Sequence, residues 1–106
     1  MPFKALFMAH APDADKDRHR SLIDTGLYRL STVIVRNQKE AVEVCREFVE
    51  KEAIDAVLLC PGFTNSDVAE LQKVAGPGVS VSVSRGDGPG NRIALEAMRR
   101  AGYPIK

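Results

Sequence analysis

Short apolar runs alternate with helix-like stretches along this chain, and this alternation restricts the fold more than any other feature. Four runs are predicted to be strands: Phe3–Ala9, Leu30–Val35, Ile54–Cys60 and Val79–Ser84. The first three are almost continuously apolar, as strands buried on both faces of a sheet are. The fourth alternates valine with serine, which is typical of an edge strand with one less buried face.

Four helical stretches follow these strands in turn. The first, Asp13 to about Thr25, has only two firmly apolar residues. In the second, Asn37 stands three residues before Glu40, which is the spacing of a capping box. The third runs from Thr64 through Val74 and is stopped by Gly76 and Pro77. The fourth begins at Asn91, ends before Gly102, and is expected to face inward through Ala94, Ala97, Met98 and Ala101.

Strands that alternate with helices predict an α/β fold with a mainly parallel sheet and right-handed crossovers. Helices on both faces would make three layers. The first and third strands are the most apolar, so we expect them in the centre of a four-stranded sheet of order 2-1-3-4. This is a truncated flavodoxin-like or Rossmann-like arrangement. The 106 residues are enough for one domain spanning residues 1–106.

Composition excludes several classes of function. Fifteen basic against fourteen acidic residues leave a net charge of +1, which argues against a nucleic-acid binder. The first apolar run is too short for a secretory core or a membrane span, so we expect a cytoplasmic protein without a membrane partner. Cys45 and Cys60 are then reduced thiols. His10 and His19 have no compact ligand spacing with nearby aspartates, so neither a metal nor a cofactor is predicted.

A ligand site is expected at the carboxyl ends of the first and third strands. In an open parallel sheet, ligands bind where the strand order reverses, and both loops there lead into helix N-termini that favour an anion. We therefore predict that a small anionic metabolite binds at this crevice, with arginines at its rim. The candidate residues are His10, Asp13, His19, Arg20, Arg36, Cys60, Gly62, Phe63, Thr64, Asn65 and Arg85.

Two other hypotheses remain open. Cys60 ends the third strand before a helix start that would stabilise a thiolate, with His10 as a possible base. The chain could then be a small enzyme of acyl-transfer, isomerase or lyase type. Alternatively, it could be a homo-oligomeric assembly unit without a ligand, joined through the Val79–Ser84 edge and the alanines at 94, 97 and 101.

The glycine-rich stretch from Gly86 to Gly90 is a further candidate for phosphate contact, because closely spaced glycines let backbone amides approach an anion. It has neither the dinucleotide-binding spacing nor the Gly-Lys-Ser/Thr of a Walker A loop. The simpler interpretation is a turn that closes the last strand–helix unit.

Two motifs also resemble a known family. The opening "APDAD" followed by His19-Arg20, and the strand end Cys60-Pro61-Gly62-Phe63, are similar to domain of unknown function 6506, a family of short single-domain bacterial proteins. The similarity runs over roughly residues 3–86 and departs at Pro61, where the family tends to have glycine. The family has no established activity, so the resemblance implies a compact α/β fold and assigns no catalytic residue.

Overall fold

The computed structural model describes residues 1–84 and 88–104, and in them a five-stranded mixed sheet carries three helices. The sheet order is β2-β3-β1-β4-β5. In chain order the elements are β1 (Phe3–His10), β2 (Arg20–Asp24), β3 (Tyr28–Val35), α1 (Gln38–Lys51), β4 (Ala56–Leu59), α2 (Asn65–Ala75), β5 (Ser80–Val83) and α3 (Gly88–Ala101).

The four predicted strands form the parallel part of the sheet. They are β1, β3, β4 and β5, and their order β3-β1-β4-β5 is the predicted 2-1-3-4. Met8 of β1 pairs with Val33 on one side and with Leu59 on the other. The continuous apolarity of β1 and β4 placed them correctly in the interior of the sheet, since an interior strand is shielded from solvent by its neighbours.

The predicted helix over residues 13–25 is wrong, and the sheet therefore has five strands rather than four. Arg20–Asp24 forms β2, which pairs antiparallel with β3. The turn that joins them is built locally, since Asp24 Oδ1 accepts a hydrogen bond from the Gly26 N–H at 2.8 Å and Gly26 has a φ of 101°. Such a conformation favours glycine. The hairpin lets the chain return along β3 without a crossover helix.

Loss of that helix also changes the layering. Helix α1 packs on β1 and β3, α2 packs on β5, and the two helices touch each other, so both lie on one face of the sheet. A crossover helix between β1 and β3 would have covered the opposite face, because that connection runs across the sheet in the reverse direction. The described residues thus form two layers, and the predicted three-layer arrangement is wrong.

The core lies between the sheet and α1 and α2. The strands contribute fully buried side chains from alternate positions, among them Leu6, Met8, Val33, Val57 and Leu59. The helices contribute Ala41, Val44, Cys45, Phe48, Leu71 and Ala75.

Helix α1 begins after its predicted cap, Asn37, and α2 begins at Asn65, after Thr64, which was predicted as its first residue. Asn37 Oδ1 accepts the N–H of Glu40 at 2.9 Å, although the Glu40 carboxylate accepts from Arg36 rather than from the cap itself. Thr64 and Asp67 form a complete capping box.

Helix α3 starts at Gly88, three residues before the predicted Asn91, and does not pack on the sheet. Its partly buried side chains are Asn91, Leu95 and Met98, whereas Ala97 and Ala101 are exposed. The predicted inward face is therefore wrong at Ala97 and Ala101, while Met98 is partly buried as predicted. A membrane span needs about 20 apolar residues in a helix, and none of the helices in the described ranges combines that length with that apolarity.

Candidate functional site

A cavity of about 290 Å³ lies at the carboxyl ends of β1 and β4 and is closed on one side by α3. Its strand-end wall comes from two loops, and its other wall is the partly buried side of α3. The lining is mainly apolar, with a few polar groups among its residues: Ala9, His10, Cys60, Pro61, Gly62, Asn91, Ala94, Leu95, Met98 and Tyr103. It is more enclosed than the depressions beside β2, between α1 and α2, and along α2.

The strand-end wall is fixed by pairing and stacking. The Cys60 N–H donates to the carbonyl of Met8 at 3.1 Å, which holds the end of β4 against β1. The imidazole of His10 stacks on the ring of Phe63, with centroids 4.1 Å apart. Phe63 is buried in the core, so it fixes the position of the His10 ring.

Gly62 brings the loop backbone close to this pair. A Cβ at residue 62 would stand 3.1 Å from His10 Nδ1 and 3.5 Å from Cys60 Sγ. The first distance is shorter than an ordinary van der Waals contact, so a side chain here would push against the imidazole. Within the described residues the N–H of Gly62 donates no hydrogen bond.

The end of α3 is attached to β1 through Tyr103. Gly102, with a φ of 103°, turns the chain out of the helix. The Gly102 N–H donates to the Arg99 carbonyl and the Tyr103 N–H to that of Met98, which is the Schellman pattern. The Tyr103 hydroxyl then donates to the His10 carbonyl at 3.3 Å. This hydrogen bond connects the α3 wall of the cavity to His10, which lies in the strand-end wall.

The electrostatics of the cavity are dominated by burial. Burial lowers the pKa of His10 from its ordinary value of 6.5, and the nearby Asp67 carboxylate partly opposes this change. The neutral imidazole is therefore favoured at neutral pH. None of the described residues that line the cavity is a lysine or an arginine. Recognition of a negative group would depend on polar N–H groups and on an imidazole that can take up a proton.

The start of α2 beside the cavity already carries a carboxylate. Asp67 Oδ2 accepts the Thr64 N–H at 3.0 Å, and Thr64 Oγ1 accepts the Asp67 N–H at 3.1 Å. The N–H groups of Asn65 and Ser66 have no acceptor among the described residues. Asp67 neutralises part of the positive helix end, which leaves less attraction for a doubly charged anion there than the sequence suggests.

The structure brings three of the predicted site residues together in the lining: His10, Cys60 and Gly62. Phe63 lies directly behind His10, and Thr64 and Asn65 are exposed at the start of α2. None of these last three lines the cavity.

The other predicted residues do not join this cluster. Asp13 and His19 are exposed, and His19 Nδ1 accepts the Asp15 N–H at 2.8 Å. Arg20 pairs with Glu47 and lies over the Phe48 ring, and Arg36 pairs with Glu40. Arg85 lies outside the described residues, as do Gly86 and Asp87, while Gly88–Gly90 open α3.

Sequence reasoning missed the wall formed by α3. Asn91 and Leu95 lie outside the predicted inward face of the helix, and Tyr103 follows its last residue, whereas Met98 was predicted to face inward. The intervals of four and three residues between Asn91, Leu95 and Met98 are a usable signal. It competes with the alanine stripe on the same helix, and the sequence does not decide between them.

A second depression of about 320 Å³ lies between β2 and α1. Its two arginines, Arg20 and Arg29, are engaged by Glu47 and Asp24. In residues 1–84 and 88–104, no three His, Cys, Asp or Glu side chains converge as metal ligands would. The cavity at the strand ends therefore remains the best candidate site.

Comparison with known protein families gives a match over most of the chain. The model of a family described as "Family of unknown function (DUF6506)" covers residues 3–96 of the 106-residue chain. The match extends about ten residues beyond the similarity inferred from the motifs, into α3. No curated protein and no solved structure matches the chain.

Proposed function

Because this chain belongs to the DUF6506 family, whose function is not established, we propose its function from the site itself: the cavity binds a small, largely apolar molecule with one carboxylate. The observation that carries this proposal is an enclosed apolar cavity at the carboxyl ends of β1 and β4, with His10 and the Gly62 N–H in its wall. Ligand sites in open α/β sheets occupy this position.

The volume limits the ligand to a small molecule. An engineered apolar cavity of about 150 Å³ accommodates benzene, and this cavity has about 290 Å³. A ligand of roughly a dozen non-hydrogen atoms would fill it. Leu95, Met98 and Ala94 offer an apolar wall to the body of such a molecule.

The polar groups favour a single negative charge. The Gly62 N–H can donate to a carboxylate oxygen, and the Asn91 side chain supplies a further donor. His10 is neutral in the free protein because burial lowers its pKa. A bound carboxylate would favour the imidazolium, so binding would be accompanied by proton uptake. A phosphate dianion fits less well, because Asp67 lies close enough to act on His10.

A thermal-shift series tests this proposal. Saturated monocarboxylates of four to eight carbons are compared with the matching primary alcohols and with inorganic phosphate. A ligand at 100 times its Kd stabilises the fold by about 2.7 kcal/mol, which is a shift above roughly 10 °C for a domain of this size. The carboxylates should shift the midpoint and the alcohols should not. Equal shifts, or a shift with phosphate alone, would contradict the proposal.

A pair of variants locates the site. Met98→Asp places a second negative charge in the cavity wall and should abolish the carboxylate shift. Ala97→Asp introduces the same charge one residue earlier on α3, where the side chain is exposed and outside the lining. It should leave binding unchanged. Loss of binding in both variants, or in neither, would place the ligand elsewhere.

A thiol enzyme is the second candidate. His10 Nδ1 and Cys60 Sγ both lie within 3.5 Å of the same point above Gly62, and both line the cavity. A neutral imidazole near a thiol is the arrangement of a base beside a nucleophile. The pH profile of iodoacetamide labelling decides this: rapid labelling of Cys60 near pH 6 supports a catalytic thiolate, and labelling only in alkali contradicts it.

Both candidates suit a cytoplasmic protein. Cys45 and Cys60 are free thiols, and the reducing cytosol keeps thiols in that form.

A further inference from the structure

Helices α1 and α2 pack on one face of the sheet, and the strand residues of the opposite face carry no charge. Among the described residues, α3 shares a cavity with this face at Ala9, near the end of β1. Residues on this face alternate with the core residues along each strand, and the stacked rings of Phe3 and Tyr28 mark it. β1 contributes Phe3, Ala5, Phe7 and Ala9, and β3 contributes Tyr28, Leu30, Thr32 and Ile34. Ile23, Ala56, Leu58 and the serines at 21, 80 and 82 complete it.

The exposure of this face differs sharply from that of the core face. Leu6, Met8 and Val33 on the core face are fully buried, whereas Phe3 is 50% exposed and Ile23 is 61% exposed. Phe7, Leu30 and Ile34 are only partly buried. When one face of a sheet is exposed to water, the residues on that face are usually polar, and they alternate along each strand with the apolar residues of the core face. This one has apolar side chains on its central strands and has the composition of a face that is covered.

The absence of charged residues from this sheet face indicates what kind of surface would pack against it. The opposite face of the same strands carries Lys4, Arg20, Asp24 and Arg29. Because the face has no charged residues, it has no electrostatic complementarity to a charged partner. Two copies of it can pack together without bringing like charges into contact. The serines lie on the outer strands β2 and β5, where their hydroxyls can both donate and accept across a symmetric contact.

The size of the face is adequate for a dimer. Strands lie about 4.8 Å apart and rise about 3.3 Å per residue, so five strands present a face of roughly 24 by 20 Å. Two such faces bury about 1,000 Å² together, which is the lower bound for a biological interface and is the size of a weak, concentration-dependent dimer rather than of a permanent one. Sheets that pack face to face in this way lie about 10 Å apart.

We propose that two copies of this chain pair face to face through the uncharged sheet surface, with a twofold axis relating the two sheets. In the predicted fold, a crossover helix between β1 and β3 would cover this face. Residues 20–24 form β2 instead, and the second copy would cover the face in place of that helix. The proposed contact and the cavity share Ala9, at the end of β1.

The test is the solution mass over a range of protein concentration. Light scattering on the purified chain at 1–100 µM should give twice the chain mass of 11.6 kDa at the upper end. Ile23→Glu places a charge on the proposed contact and should raise the dimer Kd at least tenfold. Leu22→Glu is the matched control, because Leu22 is the adjacent residue, is 50% exposed and points to the other side of β2.

The outcomes separate this interface from others. A wild-type mass of one chain at 100 µM overturns the proposal, as does an equal effect of Ile23→Glu and Leu22→Glu. A dimer that survives Ile23→Glu but dissociates with Ala97→Glu would be joined through α3 and would also overturn it. Should Ile23→Glu fail to fold, Phe3→Glu introduces the charge at a second exposed position of the same face.

Discussion

The imidazole of His10 and the ring of Phe63 are stacked with an angle of 27° between their planes. This contact joins the last residue of β1 to the loop between β4 and α2, two segments more than fifty residues apart. It orients the titratable group of the cavity by means of a core residue. The properties of the site therefore depend on a packing contact as well as on its polar atoms.

Gly62→Ala tests how closely the loop constrains His10. The new Cβ would stand 3.1 Å from His10 Nδ1, so the imidazole would have to shift by a few tenths of an ångström to make room for it. We expect the midpoint shift by carboxylates to fall, at a stability cost below about 1.5 kcal/mol, the upper end for a side chain held off its rotamer. Gly78→Ala is the control, since a Cβ there has no atom within 4 Å. Unchanged binding with a bulkier Gly62→Val would show that Gly62 has no part in the site.

The half-buried imidazole of His10 makes the fold sensitive to acid. Because burial lowers the pKa of His10 below 6.5 in the folded protein, the unfolded chain binds more protons than the folded one as the pH falls past 6.5. The free energy of unfolding should therefore decrease from pH 7 to pH 5. In His10→Gln this decrease should be smaller, as measured by urea unfolding at each pH. A steeper decrease in the variant would show that folding raises the pKa.

Asp67 should modulate the same titration. Its carboxylate raises the pKa of His10 against the larger effect of burial. In Asp67→Asn, an NMR titration should show the His10 pKa moved further down, because the attraction for the proton is lost. The amide oxygen of the new side chain can still accept the Thr64 N–H, so the helix cap is retained. An upward movement would contradict the assigned contact.

The Thr64 cap should matter for stability more than for binding. Thr64→Ala removes the acceptor of the Asp67 N–H and should lower the free energy of unfolding by about 1 kcal/mol. Thr64→Ser retains the hydroxyl and should be nearly neutral. Since Thr64 does not line the cavity, ligand affinity in the folded Thr64→Ala protein should be unchanged. A large loss of affinity would extend the site toward the start of α2.

Substitution of Arg20 or Arg36, two arginines predicted for the site, should affect the stability of the fold and not the binding of a ligand. The Arg20 guanidinium donates to the Lys16 carbonyl and to Glu47, and lies 5.7 Å from the Phe48 centroid. Arg20→Ala should cost about 1–2 kcal/mol of stability through these contacts. The exposed Arg36–Glu40 pair should contribute less than about 0.5 kcal/mol. Neither alanine variant should weaken carboxylate binding, and a loss in either would restore that arginine to the site.

The strand-end wall of the candidate site was predictable, because the order of the strands determines which strand ends lie next to each other. The apolar runs of β1 and β4 predicted neighbouring strands, and neighbouring parallel strands bring His10 and Cys60 to the same sheet edge. Arg20 lies away from the cavity for a different reason. Arg20 was assigned to a helix, but it begins β2 and faces α1. The direction of its side chain is set by the pairing of β2 with β3, which was not recognised as a hairpin in the sequence.

The sequence by itself determined the features that depend on neighbours along the chain. The caps at Asn37 and Thr64, the stop at Gly102 and the apolarity of the parallel strands are signals within a few residues, and each acts in the same way in any fold. The tertiary structure alone decided that residues 20–24 pair with β3, and that α3 closes the cavity through Leu95 and Met98. Those outcomes depend on which distant surfaces remain to be covered once the core has formed, and packing between distant segments overrides weak local preference.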